Sequence, residues 1–180
     1  MPIEELLPSS QPARIVANLP YNVATAIFFH LLPWRECWDS WSLMVQYEVA
    51  QRICATAEGG KSFGTLSLAG SLGFDCKFAF DVPPEAFAPP PKVNSAVVHL
   101  LPRKSGWSKE EEQNFLGFVR CLFQQRRKTL IGNLKQRFPN WFQQERESLE
   151  KKYLRLRPGN LELADWRELY EQFLWYGKDR

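Results

Sequence analysis

The apolar positions change period partway along the chain. Arg14-Ile15-Val16-Ala17 is a short apolar run that predicts a buried strand ending at Asn18. Leu19-Pro20-Tyr21 forms a turn, residues 23–32 have helical length and composition, and Pro33 is the predicted stop. Residues 42–46 are again strand-like, and 48–57 predict a helix closed by Gly59-Gly60. Residues 64–72 fit a helix or a strand, and helix is the choice here. Residues 77–82 and 93–101 alternate like antiparallel strands, joined through Pro83-Pro84 and Pro89-Pro90-Pro91. The order strand, helix, strand, helix, helix, strand, strand matches the second half of an α/β sheet that ends in an antiparallel hairpin.

From Ser108 the period becomes helical throughout. Ser108-Lys109-Glu110-Glu111 has the form of a capping box. Phe115, Phe118, Val119, Leu122 and Phe123 then repeat at helical spacing. A second helix carries Leu130, Leu134 and Phe138, a third covers 149–153, and a fourth opens near Leu163 and runs through Trp166, Leu169, Tyr170 and Phe173. The expected organisation is an α/β part over residues 1–104 and a small all-helical domain over 105–180. No internal repeat or low-complexity tract is present.

Charge sharpens this division. Residues 1–102 hold six Lys/Arg against nine Asp/Glu, whereas residues 103–180 hold seventeen against eleven. An acidic part followed by a basic one suggests contact with a polyanion, although a solvated helical surface fits the same numbers. Aromatics make up 14% of the 180 residues, more stacking surface than a minimal core needs. The four cysteines, Cys37, Cys54, Cys76 and Cys121, lie far apart with no C-x-x-C. That spacing argues against a metal site and a disulfide framework, and for a reducing cytoplasm. Met1-Pro2-Ile3-Glu4-Glu5 lacks the basic start of a signal peptide, and residues 22–34, which include His30 and Pro33, are too short to span a bilayer. A soluble cytoplasmic protein is expected.

Three segments carry candidate chemistry. Asn18-Leu19-Pro20-Tyr21 stands at the carboxyl end of a predicted strand, where α/β proteins place their sites. Pro20 fixes its own φ and restricts Leu19, so the turn is stiff. A stiff turn presents the Asn18 amide oxygen and nearby carbonyls as fixed acceptors, with the flat face of Tyr21 beside them. Acceptors and a π-face suit an aromatic amine such as the exocyclic amine of adenine. The alternative is an ordinary strand-to-helix turn, with Asn18 as N-cap and Tyr21 as packing. Phe87 leads into three prolines in a rigid loop, where stacking is a more natural role than core filling. Gln124-Gln125-Arg126-Arg127-Lys128-Thr129 sets three cations beside an apolar helix, a composition that grips phosphates or simply faces water.

Taken in order, Asn18-Leu19-Pro20-Tyr21-Asn22, Gln46-x-Glu48-Val49-Ala50-x-Arg52, Phe87-x-Pro89-Pro90-Pro91-Lys92-Val93-x-Ser95-Ala96 and Phe123-x-Gln125-Arg126-Arg127-Lys128-Thr129-Leu130 are in register with one family. The chain closely resembles the ribosomal RNA small-subunit adenine dimethyltransferases over nearly its whole length. The resemblance implies a Rossmann-like methyltransferase sheet that uses S-adenosylmethionine, followed by a small helical RNA-binding domain. It also implies dimethylation of two adjacent adenines near the 3′ end of small-subunit rRNA, on the immature small ribosomal subunit. By the same resemblance Asn18 contacts the target amine and borders the methyl donor, Pro20 offers its carbonyl to the amine, Tyr21 stacks on the flipped adenine and Phe87 closes the other face. Arg126, Arg127 and Lys128 belong to the family's basic element, on RNA.

The chain departs from the family pattern in three places. The glycine-rich donor loop and the acidic residues that hold the donor's ribose and adenine should precede this stretch, and no G-x-G occurs before Asn18. Tyr47 stands where the family usually has a basic residue. Gly159-Asn160 follows Arg157-Pro158 where an acidic residue is common. Two rival readings follow: a non-catalytic RNA-binding or assembly factor that keeps the fold, and a related methyltransferase acting on large-subunit rRNA.

Overall fold

A computed structural model describes residues 13–178, so the acidic opening Met1-Pro2-Ile3-Glu4-Glu5 lies outside the described residues. The chain divides into two units, one of Met1–Ala55 with Leu66–Trp107, the other of Thr56–Thr65 with Ser108–Arg180. The first holds β1 (Arg14–Asn18), α1 (Ala24–Leu31), β2 (Ser40–Gln46), α2 (Tyr47–Ile53), most of α3 (Thr65–Gly73), β3 (Phe74–Val82) and β4 (Ser95–Pro102). Its sheet runs β1-β2-β4-β3, with β1 and β2 parallel and the other two pairings antiparallel. This is the α/β half-sheet with a terminal hairpin that the order of elements predicts.

Register explains which face is buried. Trp41, Leu43 and Val45 of β2 pair with Leu100, Val98 and Ala96 of β4, and all six are buried. Phe28 of α1 meets Trp41 edge-on at 6.2 Å and Phe74 at 5.9 Å, while Trp41 and Phe74 lie 4.8 Å apart. Arg35 is buried beside this cluster because its guanidinium donates to the carbonyls of Leu32 and Arg103, both at 3.2 Å. β1 differs from expectation. It pairs with β2 alone among the described residues, and Val16 is 81% exposed. An apolar run fixes strand propensity, but burial also needs a neighbour on that side.

The α1 helix ends at Leu31, just before Pro33 as expected, and Pro33 sits in the first turn of a 3-10 helix, Leu32–Cys37, where its missing N–H costs nothing. One helix end differs. α2 ends at Ile53, and the Gly59-Gly60 signal belongs to a separate 3-10 segment, Ala57–Ser62, in which Gly60 takes φ 61°.

The second unit contains α4 (Lys109–Phe123), α5 (Leu130–Arg137), α6 (Pro139–Gln144), α7 (Arg146–Tyr153) and α8 (Leu163–Lys178). The capping box forms as predicted: the Glu111 amide donates to Ser108 Oγ, and the Ser108 amide to Glu111 Oε2. α6 is an element the periodicity does not reveal, since Pro139 ends α5 and then opens a six-residue helix. Phe118 is the hub of the core, stacking on Phe138 at 5.5 Å and on Phe173 at 5.1 Å. The aromatic surplus noted in the sequence is therefore largely core: Trp41, Trp141, Trp166, Phe28, Phe74 and Phe115 are all fully buried.

Two glycines test this packing. A Cβ on Gly70 would stand 2.6 Å from the Ile53 carbonyl oxygen, whereas one on the exposed Gly117, inside α4, meets nothing within 4 Å. Urea unfolding should show Gly70→Ala destabilised by about 1–3 kcal/mol, the ordinary cost of overpacking. Gly117→Ala should gain about 0.5–1 kcal/mol.

Candidate functional site

The turn after β1 is pinned from both sides. The Leu19 amide donates to the Met44 carbonyl at 3.0 Å, which carries the β1–β2 pairing one residue beyond the strand. The Val23 amide donates to the Pro20 carbonyl at 3.1 Å. A carbonyl oxygen has two lone pairs, so Pro20 keeps one acceptor site. The Tyr21 hydroxyl and the buried Ser95 hydroxyl are hydrogen-bonded at 2.5 Å, which fixes the Tyr21 ring against the start of β4. Ser95 is a supporting residue for which the sequence reading assigned no role, although it stands in the quoted motif. Val23, not Asn18, is the N-cap of α1, so the capping alternative for Asn18 does not hold. Asn18 is exposed, and its amide has no hydrogen-bond partner among the described residues.

Asn18, Pro20 and Tyr21 line a cavity of about 290 Å³ together with Phe87. Leu19, Pro89 and Pro91 complete the wall. Four candidate residues from two distant stretches of sequence thus meet at one place. The Phe87 backbone is set by its amide donating to the Pro84 carbonyl at 3.1 Å, and the Ala88–Pro89 peptide bond is cis. None of the lining residues carries a carboxylate, an imidazole or an amine. The cavity offers acceptors and apolar or aromatic walls, which suits holding a flat amine and does not suit general-base chemistry. Elsewhere in the first unit, burial pushes Cys54 up to about 11 and Cys76 up to about 12, so both stay protonated near neutrality. Among the described residues no group of three or more His, Cys, Asp or Glu could hold a metal ion. No described helix is long and apolar enough to cross a membrane.

In the second unit, Arg126, Arg127 and Lys128 lie in the exposed turn between α4 and α5 and not on a helix. Asn133, buried in α5, donates from Nδ2 to the carbonyls of Leu122 at 3.4 Å and Gln125 at 3.2 Å, which ties the turn to the end of α4. Thr129 caps α5 by accepting from the Gly132 amide at 3.2 Å. Arg126 and Arg127 line one cleft. Lys128 is not part of that lining, and its Nζ donates to Gln136 Oε1 at 3.2 Å.

Two solved structures share this fold. A dimethyladenosine transferase from Plasmodium falciparum superposes with a TM-score of 0.76 at 24% identity, covering 95% of this chain and 70% of that one. The 23S rRNA methyltransferase ErmE gives 0.64 at 20% identity, covering 92% and 66%. At these identities the likeness establishes the fold. The model of the ribosomal RNA adenine dimethylase family matches residues 2–161, and the chain belongs to that family. Ribosomal RNA small subunit methyltransferase A of Alcanivorax borkumensis is 36% identical over 162 residues, 89% of this chain and 56% of the relative. The protein of the same name from Agrobacterium fabrum is 52% identical over 103 residues, 56% of this chain and 37% of the relative. The chain spans about half the length of the curated relatives it matches.

The Tyr21–Ser95 bond makes a prediction about coupling. Tyr21→Phe and Ser95→Ala each remove the same hydrogen bond, so each should cost about 0.5–1.5 kcal/mol in urea unfolding. The double variant should cost little more than either alone. Fully additive losses would show that the two hydroxyls act separately.

Proposed function

We propose that this chain is the acceptor-binding and RNA-binding portion of an enzyme that transfers methyl groups to the exocyclic amines of two adjacent adenines near the 3′ end of small-subunit rRNA, in the cytoplasm during ribosome assembly. The observation that carries the reading is the convergence of Asn18, Pro20, Tyr21 and Phe87 on one cavity. Family membership supports it, as do the names of the relatives. The proposed division of labour gives residues 1–104 to the methyltransferase part and 105–180 to RNA binding.

The family uses S-adenosylmethionine, which supplies an electrophilic methyl group when bound. Asn18, exposed at the end of β1 and with no partner for its amide among the described residues, fits the border between that group and the acceptor. The other residues of the cavity fit the acceptor side.

An adenine amine is a poor nucleophile because its lone pair is delocalised into the ring. The Asn18 amide oxygen and the free acceptor site of Pro20 would each accept a hydrogen bond from one amine hydrogen, favour a pyramidal nitrogen and draw the lone pair out of conjugation with the ring. Held this way, the nitrogen would face the methyl group that the bound donor would supply, and the proton it sheds would go to water. That proton becomes strongly acidic only after the nitrogen has gained the methyl, so a cavity without a base suffices and positioning does the catalytic work. Tyr21 and Phe87 would stack on the flipped base. Flipping costs a few kcal/mol, and stacking returns about 1–3 kcal/mol per base.

Two outcomes are expected. In a chain extended by the part of the Alcanivorax borkumensis relative that it does not cover, Asn18→Ala should lower single-turnover methylation about 100-fold or more. RNA affinity should stay within about twofold, because the contact matters mainly in the transition state. An unchanged rate would overturn the role of Asn18. Separately, Arg127→Ala should reduce the slope of log affinity against log salt by roughly 0.7–0.9, equally for different RNA sequences. A stable Arg127→Ala variant with the wild-type slope would remove the turn from the RNA-binding surface.

A further inference from the structure

The cleft that Arg126 and Arg127 line has a volume of about 520 Å³ and is built entirely within the second unit. Three stretches of sequence form it. The turn after α4 supplies Arg126 and Arg127, a 3-10 helix, Pro158–Asn160, follows Arg157, and the 3-10 segment Ala57–Ser62 supplies Lys61. Their convergence is built in. The Leu130 amide donates to the Leu156 carbonyl at 2.7 Å, which sets Arg157 next to the turn. Phe63 meets Phe123 at 6.4 Å, and Phe123 stacks on Trp166 at 5.4 Å, which anchors the segment carrying Lys61 at the end of α4. Gly60, at φ 61°, allows the sharp turn just before Lys61.

All four cations are exposed, and none makes an ion pair with a carboxylate among the described residues. No carboxylate lines the cleft. Gly159, on the lining, adds no compensating charge, although a Cβ there would meet nothing within 4 Å. Asn160 uses its Oδ1 to accept from the Arg157 amide at 2.9 Å, which leaves its Nδ2 as a donor. Four cations around one concavity repel one another until an anion with several oxygens enters, and the Asn160 amide adds a donor for it.

We propose that Lys61, Arg157 and the carboxylate-free lip at Gly159 complete, with Arg126 and Arg127, a seat for consecutive backbone phosphates of RNA. The segment Ala57–Ser62, which sequence order assigns to the α/β part, is then part of the RNA-binding surface. This rests on the reading of the chain as an RNA-binding protein and adds residues that the basic motif does not contain.

The test uses the 180-residue chain and a labelled RNA hairpin with a single-stranded flank, titrated at several salt concentrations. Lys61→Ala should weaken binding at low salt and reduce the log–log salt slope by roughly 0.7–0.9, the loss of one phosphate contact. Lys61→Arg should keep the wild-type slope. Gly159→Glu should weaken binding most at low salt, while its melting temperature stays that of the wild type. Arg127→Ala serves as the reference. If Arg127→Ala lowers the slope while Lys61→Ala and Gly159→Glu bind as wild type, the seat is overturned and the RNA-binding reading stands. If all three bind as wild type, both fall. Should Lys61→Ala lower the melting temperature, the Gly159→Glu titration decides alone, and wild-type affinity there overturns the seat.

Discussion

The hydrogen bond from the Leu19 amide to the Met44 carbonyl holds the chain to β2 for one residue beyond the end of β1. Everything at the candidate acceptor site depends on that extension. Proline then fixes the next φ, the Val23 amide takes one lone pair of the Pro20 carbonyl, and Tyr21 is held by Ser95 from β4. Backbone geometry fixes the direction of the Pro20 carbonyl and the point from which the Asn18 side chain projects. Fixed acceptors are worth more to catalysis than flexible ones, because no reorganisation is needed as the amine changes shape.

The helical unit meets a different demand. A basic turn has little reason of its own to hold one conformation, since its cations repel and its backbone faces water. Here the order comes from beneath: the buried Asn133 amide, the Thr129 cap and the Leu130–Leu156 hydrogen bond fasten the turn to α4, α5 and the segment before Arg157. The aromatic core around Phe118 supplies the rigid base for those fastenings.

Much of this was legible in the sequence, for identifiable reasons. Strand and helix periods located β2, β4, α4 and α8, and Ser108 with Glu111 marked a helix start that forms as read. The Asn18 turn was legible because proline punctuates it, and the link to Phe87 came from family resemblance. Other features were hidden because they depend on contacts distant in sequence. Nothing near Ser95 says that its hydroxyl meets Tyr21, 74 positions away. Lys61 lies in a glycine-containing segment that reads as a helix end, and only packing against Phe123 brings it to the basic turn. The exposure of Val16 reflects the number of neighbours β1 has, which a pattern of apolar residues does not encode.

The central claim is that the cavity at Asn18 seats an adenine between Tyr21 and Phe87. Aromatic carbon–proton NMR spectra of the 180-residue chain, recorded as an RNA hairpin with two adjacent unpaired adenines is added, read this directly. Stacking should move the Tyr21 and Phe87 ring signals upfield, and replacing both adenines by cytidines should abolish those shifts while the Arg126 and Arg127 amide signals still respond. Ring signals that stay in place while the basic turn responds to both RNAs would contradict the claim.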